Sequence, residues 1–227
     1  MAIALLCLSF HTISEKRDIS FSIYPSFNHD RLQLAHQYFV TDTKDSVTLS
    51  TLKFYISNIQ LQYADGTTYV ESQSHHLINI EDEASLKFSL KEVSNKKINK
   101  VLFDVGIDSL TNVSGNLEGD IDPSLGMYWA WNSGYINMKL EGTSSSCTSV
   151  KKNFQYHIGG YLPNQNAIQH IVLDGVQNDH SITVQADVAK WLNKISLKDH
   201  PSIMIPGAQA LSMAKMYNQM FSLYEEN

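Results

Sequence analysis

Apolar and polar side chains alternate over most of the first two hundred residues of the chain. Ile19, Phe21 and Ile23, for example, recur at every second position. Because successive side chains on a strand point to opposite faces, this period of two predicts half-buried β-strands. Further strands are predicted at residues 52–56, 59–63, 67–70, 76–80, 86–90, 98–105, 127–140, 154–158, 168–173 and 181–188.

Two local features refine this pattern. A one-residue slip in phase at Ser57-Asn58 predicts a bulge or the start of a new strand, and Asp65-Gly66 predicts a tight hairpin turn. Strands that follow one another through short turns, without helices between them, indicate an all-β fold, either an antiparallel sandwich or a barrel. Residues 108–126 form a long polar segment, which we expect to be a loop that serves a site or binds an ion.

The period changes near the C-terminus. From Gly207 onwards the apolar residues fall at spacings of three and four, which predicts one helix that closes the chain against the sheet. The residues that carry this pattern are Ala210, Ala214, Tyr217, Phe221 and Tyr224. No internal repeat or linker divides the sequence. We therefore expect a leader or N-terminal tail over residues 1–18 and a single domain over residues 19–227.

Composition excludes several classes of protein. The chain has 227 residues, with 17 basic and 23 acidic side chains and a net charge of −6. Nucleic acid is therefore a disfavoured partner, because phosphate binding requires a concentrated basic surface. Two cysteines allow at most one disulfide, which excludes a disulfide scaffold.

The N-terminal sequence has features of a targeting signal. Residues 2–10 are strongly apolar but shorter than the roughly 20 residues of a membrane-spanning helix. They resemble the apolar region of a secretory leader, which predicts export to the periplasm or cell envelope. Lipid attachment at Cys7 and a buried N-terminal strand or helical turn are the alternatives.

Catalytic motifs are missing from the sequence. It contains no GxSxG, no HExxH, no P-loop and no GxGxxG after a strand, so we expect a protein without enzymatic activity. Asp120-Ile121-Asp122 offers oxygens to calcium, but this short pattern is more typical of solvated turn residues.

Histidine and tryptophan are the most informative polar and aromatic residues. His29, His76 and His157 lie in or beside predicted strands, and strand geometry allows only one of His75 and His76 to reach a given site. His157 is expected on the face opposite its apolar neighbours. On one regular strand over residues 127–140, Trp129 and Trp131 would lie opposite the apolar face. Either a bulge at Ser133-Gly134 returns both indoles to the core, or they line a site.

The order of several motifs resembles that of the MbnP family, from about Phe27 through the final helix. The motifs are LKFYISNIQL, HHLINIED, VLFDVGIDSLTNVSG, DIDPSLG, GMYWAWNSGYINMKLEG and FQYHIGGY. The resemblance implies a β-sandwich and a periplasmic copper-binding protein. In that family copper is held by histidines and by a tryptophan that a partner, a di-haem enzyme of the cytochrome c peroxidase type, oxidises to kynurenine. The matching residues are His29, His76, His157, Trp129 and Trp131.

The chemistry of such a site is consistent. Imidazole suits copper, which stands at the top of the divalent affinity order. An indole N–H can only donate, whereas kynurenine has an amine and a carbonyl. Because ligand histidines must be neutral, copper binding should weaken below about pH 6.5. The alternatives are a recognition module for a glycan or protein, in which Trp129, Trp131 and Tyr135 form an aromatic platform, and a purely structural surface protein.

Overall fold

The computed structural model of the protein describes residues 15–35, 39–115, 117–132 and 134–224. Most of the predicted leader, including Cys7, lies outside these ranges, and the first strand begins at Lys16. Within the described ranges no helix is long and apolar enough to cross a membrane.

Strands make up most of the regular structure. They are β1 (Lys16–Phe27), β2 (Asp30–Arg31), β3 (Phe39–Val40), β4 (Ser46–Tyr63), β5 (Thr68–Val70), β6 (His75–Asn79), β7 (Lys87–Ser94), β8 (Ile98–Val105), β9 (Tyr128–Trp129), β10 (Gly134–Ser144), β11 (Asn153–Gly159), β12 (Gln169–Asp174), β13 (Ser181–Asp187), β14 (Ser202–Ile203) and β15 (Phe221–Leu223). The α-helices are α1 (Ser109–Ser114), α2 (Ala189–Leu192) and α3 (Ala208–Tyr217).

The strands form two sheets. The small sheet has the order β15-β13-β1-β2, with β7 also paired to β1. The large sheet has the order β12-β8-β4-β10-β11-β14, with β3, β5 and β6 paired to β4 and β9 paired to β10. Neighbouring strands are antiparallel apart from the parallel pairs β1–β13 and β11–β14. The predicted β-sandwich with a C-terminal helix is confirmed.

The main core lies between the two sheets. Phe21 of β1, Phe54 of β4 and Phe103 of β8 are at most 1% exposed. The rings of Phe21 and Phe103 meet edge to face across the core, with centroids 6.5 Å apart. Burial of each such side chain contributes about 1.5–3 kcal/mol of hydrophobic free energy. The inward positions of the alternating pattern therefore hold the sheets together.

The predicted slip at Ser57-Asn58 is a bulge within one long strand, β4. Asn58 has a φ of 52°, and the pairing of β4 with β8 shifts between Ser57 and Gln60. Asparagine tolerates this left-handed conformation better than most residues. Because of the bulge, the apolar residues on both sides of Ser57-Asn58 point into the same core.

The C-terminal helix is shorter than its period predicts. Helix α3 ends at Tyr217, whose buried hydroxyl donates to the carbonyl of Ala167 at 3.2 Å. Phe221 opens strand β15 instead, where it pairs with Ala186 of β13. Tyr224, the last residue of the predicted helix, follows that strand. Backbone pairing with the small sheet thus replaces a further helical turn.

The long polar segment, residues 108–126, is not a structureless loop. It contains α1 and two short 3₁₀ helices, and it covers the outer face of the large sheet, the face turned away from the main core. A second apolar cluster forms beneath it, made of Tyr55, Leu77, Ile107, Ile121, Met127, Trp129, Tyr135 and Ile136. This second cluster frames the candidate site.

Candidate metal centre

His157 lies on the outer face of the large sheet. It pairs with Lys139 of β10, which pairs with Lys53 of β4, and directly opposed side chains share a face of a sheet. Lys53 lies between Leu52 and Phe54, both of which point into the main core. His157 therefore points away from that core, as the alternation predicts.

A glutamate fixes the imidazole of His157. The Nε2 atom lies 2.6 Å from Oε1 of Glu141, and the hydroxyl of Thr51 donates to the other carboxylate oxygen at 3.4 Å. The carboxylate can only accept, so Nε2 carries the proton in the neutral ring and Nδ1 keeps its lone pair. Histidines that bind metals commonly donate their second ring nitrogen to a carboxylate in this way.

The surroundings of His157 favour its neutral form. Burial lowers the pKa of His157 below its ordinary value of 6.5; the hydrogen bond with Glu141 acts in the opposite direction, and the nearby charge of Lys139 lowers it further. Since only a neutral imidazole can bind a metal, His157 is ready to act as a ligand at neutral pH.

Trp129 lies on the same outer face as His157. The next outward position on β11 is Gly159, where an added Cβ would lie 3.0 Å from Cζ3 of Trp129 and 2.3 Å from the carbonyl oxygen of Tyr135. The glycine therefore lets the six-membered ring of the indole lie on the backbone of β11. Successive outward positions on a strand are about 7 Å apart, so the indole packs on β11 about that far along the strand from His157.

Trp131 lies in solvent next to Trp129. Its side chain is 64% exposed, whereas Trp129 is 6% exposed, and the two ring centroids are 6.0 Å apart. The single regular strand predicted over residues 127–140 is wrong, because β9, a turn and β10 form a hairpin here. The hairpin places one indole in the second cluster and the other outside it. Ser133, part of the predicted bulge, lies outside the described residues.

Tyr135 does not join an exposed aromatic platform. It is 1% exposed, and its hydroxyl donates to the carbonyl of Ile121 at 2.8 Å. Of the three rings in the alternative hypothesis, Trp131 alone faces solvent.

His76 lies on the inner face of the large sheet, at its margin. It pairs with Ile56, a residue of the main core. Its ring stacks on Phe88 of the small sheet with centroids 3.6 Å apart, and its Nε2 lies 3.0 and 3.1 Å from the carboxylate oxygens of Glu71. The β-sheet itself separates His76 from His157.

His29 lies in the turn between β1 and β2 of the small sheet. It is exposed and has a φ of 73°. Its position follows the end of a strand that belongs to the opposite layer from β11. His29 is therefore remote from the outer face that carries His157.

The chain is similar to known proteins in both sequence and structure. The MbnP family model matches residues 16–205. The chain belongs to the MbnP family. A solved structure, MbnP from Methylosinus trichosporium, is similar with a TM-score of 0.62 and 12% sequence identity, over 83% of this chain and 80% of that chain. At that identity the likeness concerns the fold alone. No curated protein matches the chain at a significant level.

In this MbnP-family chain the structure separates the histidines that the resemblance implies. The part of the chain that the structure describes contains no group of three or more His, Cys, Asp or Glu side chains placed to hold one metal ion. His29, His76 and His157 lie in three different places. His157 and Trp129 share the outer face of the large sheet, where the ring of Trp129 packs on Gly159, one outward position from His157, and Trp131 lies next to Trp129.

His75, rather than His76, shares the outer face with His157. Its Nε2 lies 3.4 Å from the hydroxyl of Thr111 and 3.7 Å from Asp108. Three strand spacings separate β6 from β11, or about 14 Å, so His75 and His157 cannot bind the same ion. Alternation puts the two neighbouring histidines on opposite faces but does not reveal which face is outward.

Glu141 is the residue of the site that sequence reasoning missed. The predicted strand ends at Leu140, one position before Glu141, whereas β10 continues to Ser144. Extending the alternation by one step places Glu141 on the same face as Lys139, which is the available signal. Its contact with His157 depends on the register between β10 and β11.

Asp120 and Asp122, the weak calcium candidates, accept backbone hydrogen bonds. Asp120 accepts from the N–H of Leu77 at 2.9 Å, which fastens the covering segment to β6. Asp122 accepts from the N–H of Ser124 at 2.7 Å, and its hydrogen bonds with Ser124 lower its pKa. Both carboxylates thus accept hydrogen bonds from the backbone, and calcium binding at this pair stays a prediction.

Proposed function

We propose that the protein is a non-enzymatic copper-binding protein of the cell envelope, with a site centred on His157 and Trp129. The observation that supports this best is the contact of the Trp129 ring with the backbone of Gly159, one outward position from His157. Membership of the MbnP family supports the copper role, and the predicted leader supports the envelope location.

The residues fit a copper ligand set in part. His157 offers Nδ1, its tautomer is fixed by Glu141, and its pKa is lowered, so no proton has to be displaced at neutral pH. Imidazole nitrogen is a good ligand for copper. One imidazole and an intact indole do not make a strong site, because the indole N–H is a donor only.

Oxidation of Trp129 would supply the missing donors. Cleavage of the C2–C3 bond of its five-membered ring, with two molecules of peroxide reduced to water and two oxygen atoms added, would give N-formylkynurenine. Hydrolysis would then release C2 as formate and leave kynurenine, which has an aromatic amine and a carbonyl, while the six-membered ring that packs on Gly159 is retained. We propose the di-haem peroxidase partner as the enzyme that uses peroxide as the oxidant. Trp129 is the better candidate of the two tryptophans because it is the one that packs on β11, the strand of His157.

Trp131 has a different role in this proposal. With 64% of its side chain exposed and its ring 6.0 Å from that of Trp129, it gives a partner access to an indole that is itself buried. Electrons leave Trp129 through Trp131. Copper binding is therefore expected to be weak in protein made without the partner and strong in protein made with it.

The test compares the full chain expressed with and without a di-haem enzyme of the cytochrome c peroxidase type. Each preparation is titrated with Cu(I) and Cu(II) against a competing chelator, and the peptide that contains both tryptophans is analysed by mass spectrometry. Tight binding that accompanies a mass change on Trp129 supports the proposal. Equal affinity of the modified and unmodified proteins contradicts it.

Three variants sharpen the test. His157→Ala should remove tight binding, whereas His170→Ala, which changes a histidine on the edge strand β12 with 75% of its side chain exposed, should not. Trp131→Phe should prevent the modification of Trp129 without unfolding the protein. A fully modified Trp129 in this variant would exclude the access role of Trp131.

A further inference from the structure

A polar groove lies on the opposite side of the sandwich, on the outer face of the small sheet. Its volume is about 710 Å³, which is within the range of small-molecule sites, roughly 300–1,000 Å³. Strands β1, β13 and β15 line its floor, and residues 175–178 form a wall. The sheet and the main core separate this groove from His157.

Hydroxyl groups cover the floor of the groove. Ser22 of β1 pairs with Thr183 of β13, so both side chains share the outer face. Ser181 lies two positions before Thr183 on the same face, and its hydroxyl accepts from the amide of Asn178 at 2.9 Å. Hydroxyl and amide groups both donate and accept hydrogen bonds, which is the chemistry that recognises a polyhydroxylated ligand.

Two tyrosines form the aromatic part of the groove. The rings of Tyr24 and Tyr224 stack with centroids 4.2 Å apart and an angle of 23°. The N–H of Tyr224 donates to the carbonyl of Thr183 at 2.9 Å, which holds its backbone against the sheet. Because the two rings cover each other's faces, the pair presents ring edges next to hydrogen-bonding groups, and this suits the C–H groups and the hydroxyls of a pyranose ring.

Arg31 adds a positive charge. Among the described residues that line the groove it is the one charged side chain, and its guanidinium carbon lies 5.7 Å from the centroid of the Tyr24 ring. Its ion pair with Glu83 is loose, at 3.6 Å, with both side chains well exposed. Exposed pairs contribute little free energy, so a ligand carboxylate can replace Glu83 and bind the guanidinium with two hydrogen bonds.

We propose that this groove binds an acidic saccharide. A pyranose ring lies against the Tyr24–Tyr224 pair, its hydroxyls bond to Ser22, Thr183 and Asn178, and the carboxylate of a uronic acid pairs with Arg31. The site is independent of copper, since it lies on the other sheet.

The test titrates the full chain with trimers of galacturonic, glucuronic and mannuronic acid, with cellotriose as the neutral control. We expect saturable binding of at least one acidic trimer, tighter than that of cellotriose by about tenfold or more. Tyr24→Ala should abolish binding, Tyr24→Phe should retain it, and Arg31→Gln should reduce the affinity to that for cellotriose. His157→Ala should leave it unchanged, so that failure of this proposal and failure of the copper proposal are distinguishable.

Three results would overturn the proposal. They are the absence of saturable binding by all three acidic trimers, undiminished binding by a folded Tyr24→Ala, Arg31→Gln double variant, and competition by inorganic phosphate as effective as that by the trimers. The last result would mean a simple anion site at Arg31. Circular dichroism of each variant, with Tyr24→Phe as the matched control, separates loss of binding from loss of folding.

Discussion

Two histidines lie on opposite faces of the large sheet, and each forms a hydrogen bond between its Nε2 and the carboxylate of a glutamate. His157 lies 2.6 Å from Glu141 on the outer face. His76 lies 3.0 Å from Glu71 on the inner face and also stacks on Phe88, with an angle of 7° between the rings. The residue types are the same, but the surroundings of the two rings differ.

The difference lies in what remains available on each ring. The ring of His76 packs between the sheets and contributes contacts from its face as well as from Nε2, so it joins the layers. Among the described residues, His157 makes its side-chain hydrogen bond through Nε2 to Glu141, and the indole of Trp129 lies on the same outer face. A histidine–glutamate pair therefore joins the two sheets in one place, whereas in the other it fixes the imidazole that we propose as a copper ligand.

Alanine at each histidine is the strongest test of this comparison. His157→Ala should reduce the copper affinity of the modified protein by about 100-fold or more, since removal of a ligand costs more than removal of its supporting partner, for which about 10–100-fold is typical. His76→Ala should leave copper affinity unchanged but lower the free energy of unfolding by about 1–3 kcal/mol, because Glu71 loses its partner.

Competition titration and urea denaturation measure these two effects. An equal loss of copper affinity in both variants, with the His76→Ala protein still folded, would place His76 in the site and reverse the comparison.

Glutamine at each glutamate gives a smaller effect. Glu141→Gln should lower copper affinity by about tenfold, because the amide is a weaker acceptor for Nε2–H and no longer fixes the tautomer as firmly. Glu71→Gln serves as the matched control and should change only the stability of the fold. Chelator competition at constant pH checks the prediction, and an unchanged affinity in Glu141→Gln would mean that the carboxylate has no part in presenting His157.

Alternation was sufficient to predict most of the framework. It placed Ile98–Val105 at the observed bounds of β8 and located the bulge of β4 at Ser57-Asn58, because burial of one face imposes a strict period of two. It also put His157 on the outer face. These results depend only on which neighbours of a residue are apolar.

What the sequence could not predict depends on contacts between distant segments. The spacing of apolar residues predicts a helix that includes Phe221, but Phe221 pairs with β13 as part of a strand. No local pattern in the sequence reveals that partner. Likewise, Glu141 meets His157 only through the register of β10 and β11. The choice between His75 and His76 required knowing which face of β6 points towards the small sheet.

The pH dependence of copper binding tests the environment of His157. Burial lowers the pKa of its imidazole below 6.5, so the folded protein resists protonation at a pH where an unfolded chain takes up a proton. Copper affinity should therefore persist to a pH below 6.5, the value below which the sequence alone predicts weaker binding. The stability that His157 contributes should fall as the pH drops below 6.5, because the unfolded chain then takes up a proton that the folded protein does not. NMR titration of the metal-free protein measures this pKa, and a value above 6.5 would contradict the prediction.

The smallest effect is expected from the ring beneath His76. Phe88 stacks on His76 at 3.6 Å and on Phe21 at 5.0 Å, and Phe88→Leu keeps an apolar side chain while it removes both stacks. Aromatic pairs contribute about 0.5–1.5 kcal/mol beyond the area they bury, so the free energy of unfolding should fall by about that amount. Copper affinity should be unchanged, since the sheet separates Phe88 from His157.

Urea denaturation of the variant and of the Phe88→Leu, His76→Ala double variant measures how far the two effects overlap. Strict additivity would show that the His76 ring gains nothing from the stack and that the Glu71 contact alone holds it.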